Sequence, residues 1–171
     1  MTPESVGPLS RPVSVERLPP EGLDETVVAT PEERAALAAD FKLPAIHALS
    51  GRFRLTGSPR RVRVAGRIEA SITQICVVTL DPFDSVVEED VEVEFARPGP
   101  AGADASRHES AAEPPDAIVD GRIDLGALTA EFLALGLDPY PRQPGAEFQP
   151  ADADDRADTP FGALGRLKGG E

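Results

Sequence analysis

The run from Arg61 to Ile72 reads Arg-Val-Arg-Val-Ala-Gly-Arg-Ile-Glu-Ala-Ser-Ile. Arg61, Arg63 and Arg67 share one parity, while Val62, Val64, Ile68, Ala70 and Ile72 share the other. Successive side chains of a strand point to opposite faces, so this pattern predicts a two-faced strand with its aliphatic side on a core and its arginines in water. Upstream, Arg52 and Arg54 oppose Phe53 and Leu55, and Thr56-Gly57-Ser58-Pro59 supplies a connection, which makes the pair a basic hairpin. Downstream of Asp81-Pro82-Phe83, the run Val87 to Phe95 sets Val91, Val93 and Phe95 inward and Glu88, Asp90, Glu92 and Glu94 outward. If the basic and acidic strands are antiparallel neighbours, their outward charges lie within about 5.5 Å of each other across the ladder. Two readings stay open at this point. The charges form a zippered solvent face, or Arg52, Arg54, Arg61, Arg63 and Arg67 stay partly free as a footprint for RNA phosphates. Apart from Phe53, no aromatic residue interleaves with these arginines to stack bases.

Other elements follow from local signals. Val13 and Val15 alternate with Ser14 and Glu16 in a short edge strand that Pro19-Pro20 stops. Thr30-Pro31-Glu32-Glu33 is a capping box with proline at the first helical position, so a helix spans roughly 31–41 with Leu37 and Phe41 on one face and Pro44 ending it. Ile118 to Ile123 forms a short strand and turn. Asp124 caps a second helix whose Leu125, Leu128, Phe132 and Leu135 make one stripe, and Gly136 is placed to end it. The expected fold is α+β, an antiparallel, barrel-like sheet core packed by two helices. Residues 1–10 read as a flexible N-terminus and 11–148 as a single domain. An aperiodic stretch at about 97–116, with Pro-Gly-Pro and alanine-rich segments, reads as a mobile insertion, and 149–171 as an acidic tail with a short apolar motif.

The 171 residues suit one ordinary core plus tails. Seventeen Lys+Arg against 30 Asp+Glu give a formal net charge of −13, which repels a nucleic-acid backbone unless the basic residues are segregated. Fifteen glycines and 18 prolines signal extensive loop. The single cysteine, Cys76, leaves no intramolecular disulfide and no four-thiolate zinc site, and fits a reducing compartment. No apolar run follows a basic cluster at the start and no stretch of about 18 apolar residues occurs, so a cytoplasmic protein without membrane contact is expected.

Reactive groups are sparse. Cys76 lies among Ile75, Val77 and Val78, where burial predicts a raised pKa rather than a reactive thiolate. His47 sits near the end of the first helix with no carboxylate or thiol at metal-ligand spacing, and His108 lies in the aperiodic stretch. Glu88-Glu89-Asp90 reads as a solvated strand face, and no Walker-type glycine loop occurs. The expectation is a protein without enzymatic activity, cofactor or bound metal. Two segments suit partners. In Asp138-Pro139-Tyr140-Pro141-Arg142 both prolines fix φ, which aims Tyr140 and Arg142 either for presentation to a partner or for packing on the sheet. In the tail, Phe161, Leu164 and Leu167 recur at a spacing of three and suit a segment that folds on a surface.

Several segments, in order, resemble the YceD family of large ribosomal RNA subunit accumulation proteins over roughly 11–168. They are Val64-Ala65-Gly66-Arg67-Ile68 leading to Gln74 through Phe83, then Ile123-Asp124-Leu125-Gly126, Leu137 through Arg142, and Pro160-Phe161 through Leu167-Lys168. The resemblance implies a role in production, processing or stability of 23S ribosomal RNA, and together with the arginines it points to precursor RNA or an assembling particle as partner. The net charge of −13, the acidic segments and the terminal apolar triplet prompt the alternative, a protein-protein adaptor for basic ribosomal proteins or another assembly factor without direct RNA contact. Many relatives carry Cys-x-x-Cys where this chain has Cys76-Val77-Val78-Thr79, with a further cysteine near Pro141 to Gly145, so their metal-binding capacity is not expected here.

Overall fold

The computed structural model describes residues 7–98 and 115–148. Three long strands carry it: β3 (Ala45–Ser58), β4 (Arg61–Ile75) and β5 (Pro82–Ala96). Before them come β1 (Pro12–Ser14), a single 3-10 turn at Val15–Arg17, β2 (Leu23–Val28) and α1 (Pro31–Asp40). After them come β6 (Asp116–Ala117), β7 (Arg122–Asp124) and α2 (Leu125–Gly136). The main sheet has the order β2-β3-β4-β5-β6 and is antiparallel except at the β5–β6 pair, while β1 and β7 form a separate antiparallel pair. Two helices against a mostly antiparallel sheet make the fold α+β.

Alternation in β4 places the core. Val62, Val64, Ile68 and Ile72 are fully buried, and Leu55 and Phe53 of β3 join them. Burying each such side chain contributes about 1.5–3 kcal/mol. Leu37 of α1 and Leu125, Leu128 and Leu133 of α2 close the same core from the other side. The Phe53 ring needs unusual room. A Cβ on Gly51 would meet that ring at 2.6 Å, and one on Gly66 would collide with the Arg52 carbonyl and the Phe53 Cα, so both strands use glycine where the ring passes.

Four readings are corrected. First, β3 begins at Ala45, so His47 lies on a strand rather than at a helix end. Second, β2 was not expected: Asp24 and Glu25 near its start are poor strand formers, and it is held by pairing with Leu55 to Ser50 of β3. Third, Val15 is buried but sits in the 3-10 turn rather than a strand. Fourth, Leu135 is 70% exposed. Ten residues of α-helix after Leu125 leave it about 80° from that residue on the side away from Thr129 and Leu133, which occupy the buried face instead. The expected insertion falls mostly on 99–114, outside the described residues, as do 149–171.

Order extends to Leu9, which is buried although it lies in the stretch read as flexible. Next to it, Asp124 accepts from the Ser10 hydroxyl and, at 2.7 Å, from the Arg11 backbone N–H, while its Oδ1 caps α2 through Gly126 and Ala127. The Arg11 guanidinium meets both Glu33 oxygens, at 2.8 and 2.9 Å, inside the α1 capping box. Two adjacent residues thus tie the N-termini of both helices together. Burial pushes the Asp124 pKa up, but the bonds from Ser10, Arg11, Ala127 and Gly126 outweigh it and leave the carboxyl below its ordinary value.

A native pKa below the unfolded value of about 3.9 means that the contribution of Asp124 is complete above about pH 4 and is lost as pH falls through the native value. Asp124→Ala is expected to cost about 1–2 kcal/mol at neutral pH. Asp124→Asn, which keeps a capping oxygen without the titrating charge, is expected to flatten the loss of stability below about pH 4. Urea denaturation across pH measures both; parallel acid slopes for wild type and Asp124→Asn would refute the assignment.

Candidate functional site

The face of the sheet opposite the helices carries the charges. On β4, Arg61 meets Glu94 of β5 at 2.8 Å, Arg63 meets Glu92, and Arg67 meets Asp90 at 2.8 Å and Glu88 at 3.9 Å. Arg67 lies directly across from Asp90, whereas the pairs of Arg61 and Arg63 are diagonal, two residues off the register. The bond between Arg67 and Asp90 lowers the aspartate pKa and raises that of the guanidinium. On the same face, toward the β2 edge, Arg54 makes two bonds to Asp24 of β2, at 2.7 and 2.9 Å, and one to the Glu21 carbonyl. Arg52 stands between Thr26 and Arg67 and has no ion-pair partner among the described residues.

All five arginines named from the sequence therefore share one exposed face, and four of them hold carboxylates. Exposed pairs of this kind contribute only about 0–1 kcal/mol each, so a phosphate or a second carboxylate can displace one at small cost. What they fix is direction. The face is basic along β3 and β4 and acidic along β5.

A second cluster forms where the chain leaves β4. Cys76 and Leu80 close a tight loop through the Leu80 N–H to the Cys76 carbonyl, at 2.9 Å, with Leu80 in the left-handed region at φ 63°. The proline-rich turn docks on this loop: the Val77 N–H donates to the Pro141 carbonyl at 2.9 Å, and the Gln143 N–H donates to Cys76 Sγ at 3.4 Å. Asp138 stiffens the turn by accepting the Tyr140 N–H at 2.8 Å. Backbone packing and side-chain exposure thus coexist: Pro141 holds the turn to the loop, while Tyr140 is 72% exposed and Arg142 is exposed beside it. Phe161, Leu164 and Leu167 lie outside the described residues.

The expectation of a raised Cys76 pKa is corrected. The side chain is fully buried, yet its pKa is lowered to about 7 by the Gln143 N–H and by the hydroxyl and N–H of Thr79. The neighbouring side chains named in the sequence do not set the thiol's state; the backbone donors that surround it do. One thiol and one threonine hydroxyl do not supply a tetrahedral thiolate set, and among the described residues no three His, Cys, Asp or Glu side chains converge. His47 is also more connected than its sequence suggests, with Nε2 at 2.7 Å from Thr73 Oγ1, which in turn donates to Asp84 at 2.6 Å. This chain lies open on the strand surface.

Among protein-family models, the one described as Large ribosomal RNA subunit accumulation protein YceD matches residues 64–168. The chain belongs to this family. Comparisons with curated proteins and with solved structures give no match. The matched span opens inside β4 and takes in β5, α2, the Cys76 loop and the proline-rich turn.

Because the Cys76 pKa is lower folded than free, its contribution to stability grows as pH rises from about 7 toward the free-thiol value of 9.0 and is complete above it. Urea midpoints of the full chain are expected to increase across that window, and Cys76→Ser to remove the increase. A wild-type midpoint that falls or stays level between these pH values would refute the thiolate cradle.

Proposed function

We propose that this YceD-family chain is a non-enzymatic, cytoplasmic factor for the production, processing or stability of 23S ribosomal RNA. Family membership carries the reading, and the sheet face gives it a contact surface. Arg52, Arg54, Arg61, Arg63 and Arg67 are gathered on one side of the sheet, with Arg52 lacking a carboxylate among the described residues. Phosphates from precursor large-subunit RNA replace the weak surface pairs, so affinity comes from backbone charge and falls steeply with salt. No helix among the described residues is long and apolar enough to cross a membrane.

A second reading is favoured by the −13 charge and the acidic outer strand: the chain is an adaptor that holds a basic ribosomal protein or another assembly factor. Tyr140 and Arg142 on the stiff turn, with Phe161, Leu164 and Leu167 in the tail, serve as its docking residues. The two readings are compatible in one particle.

Gel shifts of precursor large-subunit RNA across a salt series test the first reading. Arg52→Ala and Arg54→Ala are each expected to weaken binding and to reduce the salt slope by about 1. Absence of binding at low salt, or indifference to both substitutions, would refute direct RNA contact. The adaptor reading predicts partners that survive nuclease treatment in a pull-down with the tagged full chain.

A further inference from the structure

On its inner side β5 is paired with β4 along its whole length, from Pro82 to Ala96. On its outer side the ladder is two residues long, Phe95 with Asp116 and Ala96 with Ala117, in parallel. Pro115 is the next residue back along that partner and has no N–H to donate, so among the described residues the ladder ends there. From Glu88 to Glu94 the outward backbone groups of β5 consequently have no backbone partner among the described residues. An edge this long is a template for another strand unless something covers it.

A groove of about 830 Å³ lies at one end of this edge, where it meets β5 at Glu92 to Glu94 and β6 at Asp116. One wall is α2, which presents Leu128, Phe132 and the exposed Leu135 beside Val93. The opposite lip carries Glu92 and Glu94, paired with Arg63 and with the groove-lining Arg61, and Glu131 and Asp116 add carboxylates without an ion-pair partner among the described residues. A strand laid along β5 must alternate its side chains between these two sides. Residues of one parity meet the apolar wall of α2. Residues of the other parity extend the charge rows of the sheet, in which β4 supplies arginine and β5 supplies carboxylate, so that a third column of basic residues completes them.

We propose that the outer edge of β5 captures, by strand addition, an extended segment of a protein partner in which basic and apolar residues alternate over about seven positions. The chemistry discriminates among occupants. A second copy adding edge to edge would set its own carboxylates opposite these. The chain's own tail alternates over only Arg166-Leu167-Lys168 before reaching Gly169. A basic partner segment satisfies the open ladder, the apolar wall and the acidic lip together. The inference goes beyond rRNA contact, and its assay uses purified chain without RNA, so the two can fail separately.

Fluorescence anisotropy of the full chain with a labelled nine-residue peptide of alternating lysine and valine tests this. Binding is expected, with at least tenfold loss for a peptide of the same composition in two blocks and for one with glutamate in place of lysine. Leu135→Glu and Glu131→Lys are each expected to weaken binding severalfold; both side chains are exposed, so the fold is retained. Hydrogen exchange supplies the decisive signature: outward amides between Glu88 and Glu94 slow at least tenfold with the peptide. No binding, equal binding of the block peptide, or binding without amide protection overturns the proposal. So does protection already present in the free chain, whether it is lost on dilution, which identifies a second copy, or on Leu167→Asp, which identifies the tail.

Discussion

Everything in this molecule depends on which parity of β4 faces the helices. Val62, Val64, Ile68 and Ile72 have no exposure, and the same alternation forces Arg61, Arg63 and Arg67 outward. A slip of one residue would exchange the two sets, exposing four large aliphatic groups and burying three guanidinium ions. The penalty far exceeds anything the surface ion pairs contribute, so the core sets the register and the charge pattern follows from it. Gly66 reinforces this, because its missing side chain is the space in which Phe53 and the Arg52 carbonyl lie.

With the register fixed, the net charge of −13 acquires a geometry. β5 turns Glu88, Asp90, Glu92 and Glu94 to the same face as the arginines but lies at the outer side of the long strands, beyond which, among the described residues, only Phe95 and Ala96 find a partner. The sheet face therefore changes from basic to acidic across two strands. In the function proposed above an RNA backbone lies over β3 and β4, and the proposed strand partner lies along β5.

The sequence made the long alternating strands legible because each carries its own period, and both helices announced themselves through caps, Thr30 with Glu33 and Asp124. Features created by distant contacts were not legible. β2 has only Val27 deeply buried and exists through its pairing with β3. The bonds from Ser10 and Arg11 to Asp124 span more than a hundred residues, so no local pattern marks Leu9 and Ser10 as structured. Cys76 looked like an ordinary buried thiol because its neighbours in sequence are aliphatic; the donor that most lowers its pKa arrives from Gln143. The arginine set was correctly grouped by parity, but alternation says nothing about which carboxylate each one holds. Pairing with Glu94 and Glu92 rather than the residues directly across required the twist and reach of real side chains.

Cross-strand backbone proton contacts in the nuclear Overhauser spectrum of the full chain test the register most directly. The account predicts contacts that place Arg63 opposite Glu94, Val64 opposite Val93 and Arg67 opposite Asp90. A ladder displaced by a single residue, which would turn Val62 and Val64 to the charged face, would contradict it.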